Sequence, residues 1–164
     1  MKKIIFGLLA VTAVAFTSCK DECKDVTCDN GGTCTEGICD CPSGYEGTNC
    51  ETSWASAFAG NYNVSETYTI AGGGNGTENF SSVISTGTDP KKITISNFSL
   101  SGQNITADLE TATSLKINSQ TVTVSGTQFV ANGTGSIAGS TVTLNYTLAT
   151  GGVVALTVTD IYTK

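Results

Sequence analysis

The seven cysteines are the residues of this 164-residue chain that can take part in the most kinds of chemistry, and all of them lie in its N-terminal third. A cysteine thiol can form a disulfide, ligate zinc or accept a lipid. Because seven is an odd number, at least one cysteine has no partner within the chain. The chain has no histidine and no arginine, so the commonest general base and metal ligand and the forked phosphate-binding side chain are all missing.

Cys19 follows a segment typical of a targeting signal. A short basic stretch precedes an apolar run at residues 4–16, which is shorter than the roughly 20 residues needed to span a bilayer. The small residues Thr17 and Ser18 come next. The arrangement resembles a bacterial lipoprotein signal peptide, which implies that Cys19 is acylated and becomes the mature N-terminus. The alternative is that Cys19 is one more cysteine near a signal cleavage site.

This resemblance divides the N-terminus into a signal peptide, 1–18, and a lipidated tether, 19–22. The Lys-Asp-Glu of the tether resembles the tag that sends some Gram-negative lipoproteins to the outer face of the outer membrane. We therefore expect a lipid-anchored outer-membrane protein that faces the cell exterior. The alternative is that these charged residues are a solvated run at a flexible terminus.

The other six cysteines are separated by four, five, four, one and eight residues. With the turn residues of "CDNGGTCTEGICDCPSGYEGTNC", they resemble an epidermal-growth-factor (EGF)-like module over residues 23–50. Spacing alone leaves many disulfide pairings open. The resemblance implies the pairs Cys23–Cys34, Cys28–Cys39 and Cys41–Cys50.

A segment of this size cannot bury enough apolar surface to fold without cross-links, so disulfides and an oxidising compartment are expected. A zinc site is disfavoured because the segment has no histidine and no paired Cys-x2-Cys motif. Calcium-binding EGF modules have an Asp/Asn-x-Asp/Asn-Glu run before the first cysteine and an Asp or Asn followed by an aromatic residue between the third and fourth. Asp21-Glu22 is only a fragment of the first element, and "TEGI" lacks the second. We expect no metal and no cofactor.

Beyond Trp54 cysteine stops, and Thr, Ser, Gly and β-branched residues alternate with a period of two. The short connections favour antiparallel neighbours. A linker at 51–57 and a mainly β domain at 58–164 follow. We predict an eight-stranded antiparallel up-and-down β-barrel, with a β-sandwich as the alternative. The predicted strands are 61–70, 78–86, 91–98, 103–110, 115–124, 127–137, 140–149 and 153–163.

A short motif, "FAGNY" at residues 58–62, is similar to the opening of the first strand in lipocalins and fatty-acid-binding proteins. The preceding "SWASA" is expected to form the short helical turn that caps such barrels. Lipocalins also place a basic residue, usually arginine, against the aromatic of the first strand. In this chain only Lys164 can take that position.

Two carboxylates interrupt the apolar faces of the first and last predicted barrel strands. Glu66 and Asp160 both fall on the inward side of the alternation. One interpretation is that a bulge turns one or both outward, and another is that they form a polar patch in a ligand cavity. Paired acids also occur in glycosidases, but nothing else in the chain supports that chemistry. The candidate ligand-binding residues are Glu66, Tyr68, Tyr146, Asp160 and Tyr162.

Two functions remain open on the sequence. A net charge of −6 and a pI near 4.4 disfavour nucleic-acid binding. With no nucleophile–base pair, metal site or phosphate loop, we do not expect an enzyme. We expect an interaction module in which an EGF-like stalk presents the barrel to a protein or glycan. The alternative is a carrier of a small apolar ligand inside the barrel.

Overall fold

The computed structural model describes residues 21–99 and 101–164. The predicted signal peptide and the predicted lipid attachment point, Cys19, lie outside the described residues. Within those residues, no helix combines the length and the apolar character that crossing a bilayer requires.

Three disulfides hold the cysteine-rich segment together. They join Cys23 to Cys34, Cys28 to Cys39 and Cys41 to Cys50, which are the pairs implied by the EGF-like resemblance. In this segment the buried apolar side chains of the described residues are those of Cys39 and Cys50. The module therefore depends on covalent cross-links rather than on a hydrophobic core.

Two small antiparallel sheets complete the segment. The first pairs the strands β1 and β2, and the second pairs β3 and β4. Their bounds are Thr33–Thr35 (β1), Ile38–Asp40 (β2), Tyr45–Glu46 (β3) and Thr52–Ser53 (β4). Since β4 lies in the predicted linker 51–57, this connection is ordered by pairing with the module.

The rest of the chain is one short helix and eight long antiparallel strands. The strand bounds agree with the predicted ones within a few residues because Gly-containing turns interrupt the alternation clearly. The elements are α1 (Trp54–Phe58), β5 (Gly60–Ile70), β6 (Asn75–Thr86), β7 (Lys92–Phe98), β8 (Gln103–Thr111), β9 (Ser114–Val124), β10 (Thr127–Ala138), β11 (Thr141–Thr150) and β12 (Val153–Thr163).

The eight strands form a closed barrel in which each strand pairs with its sequence neighbours. The closing ladder joins β12 to β5, from Leu156 opposite Ile70 to Thr163 opposite Asn63. The predicted barrel is thereby confirmed over the sandwich. Closure joins the first and last strands of the barrel, so neither of them is left as a free edge.

The inward residues of the barrel form its core, and the Thr- and Asn-rich face is turned outward. Val154 departs from the predicted alternation. The alternation that places Asp160 inside would place Val154 inside as well, but the structure turns it outward. The pairing shifts from Leu148 opposite Leu156 to Ala149 opposite Val154. This bulge adds one residue to β12 and turns Val154 outward, where it is 44% exposed.

One end of the barrel is closed by α1, as expected from "SWASA". Phe58 of α1 is fully buried, and its carbonyl oxygen accepts a 2.6 Å hydrogen bond from the hydroxyl of Tyr62. The Nζ of Lys164 lies 5.3 Å from the centre of the Tyr62 ring. Lys164 therefore occupies the position expected for the basic residue that packs on the first-strand aromatic.

The EGF-like module is joined to this helix-capped end. The backbone N–H of Trp54 donates to the carbonyl of Gly44 at 2.9 Å, and that of Ala55 donates to the carbonyl of Pro90 at 3.1 Å. Gly44 has a φ of +103°, and a Cβ there would lie 2.9 Å from Cγ of Lys91 and 3.0 Å from Cγ of Pro90. Gly44 thus allows the module to approach the loop between β6 and β7 closely.

We expect the substitution Gly44→Ala to loosen the joint between the module and the barrel. Gly31→Ala is the matched control, because Gly31 also has a positive φ, +81°, but a Cβ there meets nothing within 4 Å. Backbone ¹⁵N relaxation should report one common tumbling time for module and barrel in the wild type and in Gly31→Ala. In Gly44→Ala the module amides should tumble faster than the barrel amides. Equal tumbling in Gly44→Ala would contradict this account of the joint.

Candidate functional site

The two inward acids meet across the closing ladder of the barrel. Glu66 on β5 and Asp160 on β12 are directly opposite one another in the antiparallel register. Glu66 is 4% exposed and Asp160 is fully buried. The alternative that a bulge turns them outward is therefore wrong, because the bulge in β12 lies earlier in the strand, near Val154.

A tyrosine from the neighbouring strand bridges the two carboxyl groups. The hydroxyl of Tyr146, on β11, lies 2.9 Å from Oε2 of Glu66 and 3.2 Å from Oδ2 of Asp160. The hydroxyl of Tyr162 lies 3.5 Å from the same Oδ2. We call Glu66, Tyr146, Asp160 and Tyr162 the acid–tyrosine cluster. Four of the five predicted ligand-binding residues are thus brought together.

Burial controls the protonation of this cluster. Loss of solvation raises the pKa of Glu66 above its ordinary value. Burial, followed by the nearby charge of Glu66, raises the pKa of Asp160 to about 8. Burial also raises the pKa of Tyr146 and Tyr162, so both phenols keep their protons and act as donors.

The geometry of Tyr146 favours one arrangement of protons. A phenol has one proton to donate, so it cannot donate to both carboxyl groups at once. If Asp160 is protonated on Oδ2, it donates to the Tyr146 oxygen, and Tyr146 donates to Oε2 of Glu66. Oδ1 of Asp160 is buried without a hydrogen-bond partner among the described residues. An unpaired carbonyl oxygen is less costly in a neutral carboxyl than in a carboxylate, which supports the proton on Asp160.

A cavity of about 360 Å³ lies above the cluster, at the end of the barrel opposite α1. Glu66 reaches its wall, and Ser99 and Ser125 of the turns after β7 and β9 line its mouth. The remaining wall is mainly apolar and aromatic. It includes Tyr68, Phe129, Leu148 and Leu156.

The predicted ligand-binding residues divide into those that line the cavity and those that lie buried beneath it. Glu66 and Tyr68 line the cavity, whereas Tyr146, Asp160 and Tyr162 do not line it and lie buried in the barrel. Sequence reasoning missed Glu78 and Ser99, which also line the cavity. Glu78 shares the inward parity of Phe80, so alternation could have identified it. Ser99 has a φ of +48° in a turn, where no periodic pattern applies.

No lysine of the described residues lines the cavity. Lys92 pairs with Asp108 at 3.4 Å, and this is the one salt bridge found between described residues. Lys91 lies over the Trp54 ring, and Lys164 lies over Tyr62. No group of three or more potential metal-ligating side chains is found in residues 21–99 and 101–164.

Comparison with known proteins bears on the cysteine-rich segment. No family model matches the chain. Fibropellin-1 and Fibropellin-3 of Strongylocentrotus purpuratus are 40% and 38% identical to it over 55 residues. Together with the three disulfides, these similarities decide the class of the segment. It is an EGF-like module. The alignments cover 31% of this chain and 5% and 10% of the two fibropellins, so the chain spans a small part of either relative.

The raised pKa values predict that the protein loses stability as pH rises. The folded state holds a proton on Asp160 up to about pH 8, whereas an aspartate in the unfolded chain releases its proton near 3.8. The folded state therefore binds more protons between these values, and the free energy of unfolding falls as pH increases through this window. We expect the free energy of unfolding to fall by at least about 2 kcal/mol between pH 5 and pH 9, measured by chemical denaturation.

Asp160→Asn should reduce this pH dependence strongly, because a carboxamide replaces the neutral carboxyl group and does not titrate. Asp108→Asn is the control, since Asp108 is half exposed and pairs with Lys92 at the surface. It should keep the wild-type slope. A flat wild-type profile, or an unchanged slope in Asp160→Asn, would show that the cluster is not protonated as described.

Proposed function

We propose that this chain is a surface-anchored lipoprotein in which the EGF-like module acts as a stalk and the β-barrel presents a binding surface to a protein or glycan. The supporting observation is the position of the joint. The module contacts the helix-capped end through Gly44 and Pro90, and the cavity mouth lies at the opposite end. A stalk attached in this way points the open end of the barrel away from the anchor.

The anchor is Cys19 in this proposal. The three disulfides use the other six cysteines, which leaves Cys19 outside the module's covalent framework. Cys19 and Cys23 are four positions apart, so the tether spans at most about 14 Å when fully extended. The module would then lie directly at the membrane surface, and its disulfides suit the oxidising exterior of the membrane.

The second candidate function is a carrier of a small ligand, and the cavity is the observation that favours it. Its volume of about 360 Å³ falls within the range of small-molecule sites, and its wall combines apolar side chains with a few polar groups. We expect neither candidate to be an enzyme. The pair Glu66 and Asp160 does not have the arrangement of a glycosidase, because Asp160 is fully buried and does not line the cavity.

Cys19→Ala should move the protein from the membrane fraction to the soluble fraction, because the acylated thiol is lost. Cys23→Ala is the control: it breaks the disulfide with Cys34 but leaves the anchor in place, so it should stay with the membrane. On intact cells, added protease should cleave the wild-type protein. Membrane retention of Cys19→Ala would contradict the anchor, and full protection from protease would contradict the outward orientation.

The carrier function predicts a bound ligand in the purified full chain, detected as an added mass by native mass spectrometry. Val124→Trp should abolish this added mass, because Val124 lines the cavity and a larger side chain would fill it. Val130→Trp is the matched control, since Val130 is 44% exposed on the barrel surface. No added mass in the wild type, or its persistence in Val124→Trp, would leave the interaction module as the function.

A further inference from the structure

We propose that the barrel cavity binds a cationic ligand, namely an ammonium group carried on a small apolar or aromatic body. This inference rests on the carrier function proposed above and names the chemical class of its ligand. It depends on the charges around the cavity, on the nature of its walls and on the hydrogen bonds behind Glu66.

The cavity brings two acidic side chains together without a basic one. Glu66 on β5 and Glu78 on β6 are direct partners in the antiparallel register, and both line the cavity. Like charges on directly opposed residues of a sheet repel one another, and the charge of Glu78 contributes to the raised pKa of Glu66. A cation between the two side chains would remove this repulsion and would interact with both.

The lysines of the described barrel cannot supply that cation. Lys91, Lys92 and Lys164 lie at the helix-capped end, where they contact Trp54, Asp108 and Tyr62. Lys116 is exposed and pairs in register with Asp108, also far from the cavity mouth. Within the described part of the chain, the charge at the cavity is therefore negative and uncompensated.

The acid–tyrosine cluster supports an ionised Glu66 once a cation is present. With its proton on Asp160, the cluster forms a chain in which Asp160 donates to Tyr146 and Tyr146 donates to Oε2 of Glu66. A carboxylate that accepts such a bond is stabilised in its charged form. Tyr146 and Asp160 are then positioning residues, because they act through Glu66 and do not line the cavity.

The walls define the rest of the ligand. Tyr68 and Phe129 supply aromatic faces, which attract cations, and Leu148 and Leu156 supply aliphatic surface. Gly76 of β6 leaves room for the Tyr68 ring, because a Cβ at this position would collide with it. A volume of about 360 Å³ accommodates on the order of a dozen non-hydrogen atoms. An anionic ligand would add a third negative charge beside Glu66 and Glu78.

The test compares three probes of similar size and shape with the full chain at pH 7.5: 2-phenylethylammonium, 2-phenylethanol and 3-phenylpropionate. Binding is followed by calorimetry and by the NMR shifts of Tyr68, Phe129 and Leu148, which report on the cavity. We expect the ammonium probe to bind at least about tenfold more tightly than the alcohol, a difference of about 1.4 kcal/mol. The carboxylate probe should bind most weakly.

Glu66→Gln should abolish the preference for the ammonium probe, because the amide is nearly the same size as the carboxylate but carries no charge. Glu110→Gln removes the same charge from the exposed face of β8 and should keep the preference. If Glu66→Gln does not fold, Glu78→Gln replaces it, since Glu78 is exposed, and should reduce the preference at least about threefold.

The outcomes separate this inference from the carrier function. Equal cavity binding of the ammonium and alcohol probes overturns the cationic class and leaves a carrier of neutral ligands. An ammonium preference that persists in Glu66→Gln, or in Glu78→Gln when that variant is used, also overturns it, because the charge would then act elsewhere. If none of the three probes shifts the resonances of the cavity residues, both the cationic class and the carrier function fail.

Discussion

The pairing of the last strand with the first is the constraint on which the barrel depends. Without the β12–β5 ladder, two edges would expose a row of unpaired backbone groups, and the inward face of β12 would lose its neighbours on one side. The same ladder fixes the register that places Asp160 opposite Glu66. Closure therefore creates the buried acid pair as well as the core.

A buried acid pair is costly for a protein that needs only to fold. Replacing Glu66 and Asp160 with apolar residues would remove the desolvation penalty and the unpaired Oδ1. The structure instead surrounds them with two tyrosine hydroxyls that stay protonated. Buried polar groups directly below a cavity are what the proposed ligand site would require.

The two parts of the chain reach stability by different means, and the joint between them reflects this. The EGF-like module relies on three disulfides, and the barrel relies on closure and a continuous apolar interior. Their contact uses the backbone hydrogen bond from Trp54 to Gly44 and the close approach of Gly44 to Pro90 and Lys91. A backbone contact of this kind is directional, as the proposed stalk would require.

The sequence by itself determined the elements whose signals are local. Cysteine spacing with its turn residues indicated the module through its resemblance to EGF-like modules, and that resemblance implied the disulfide pairs. Period-two alternation between Gly-rich turns located all eight barrel strands. Alternation also placed Glu66 and Asp160 on the inner face, because side-chain direction in a strand follows from position alone.

Tertiary structure decided what depends on register and on residues that break the pattern. Only closure showed that Glu66 and Asp160 are direct partners, and only the bulge near Ala149 turned Val154 outward. The cavity mouth includes Ser99, which lies in a turn with positive φ, and its wall combines residues from strands distant in sequence. These features arise from contacts between segments far apart in the chain, and no local periodicity encodes them.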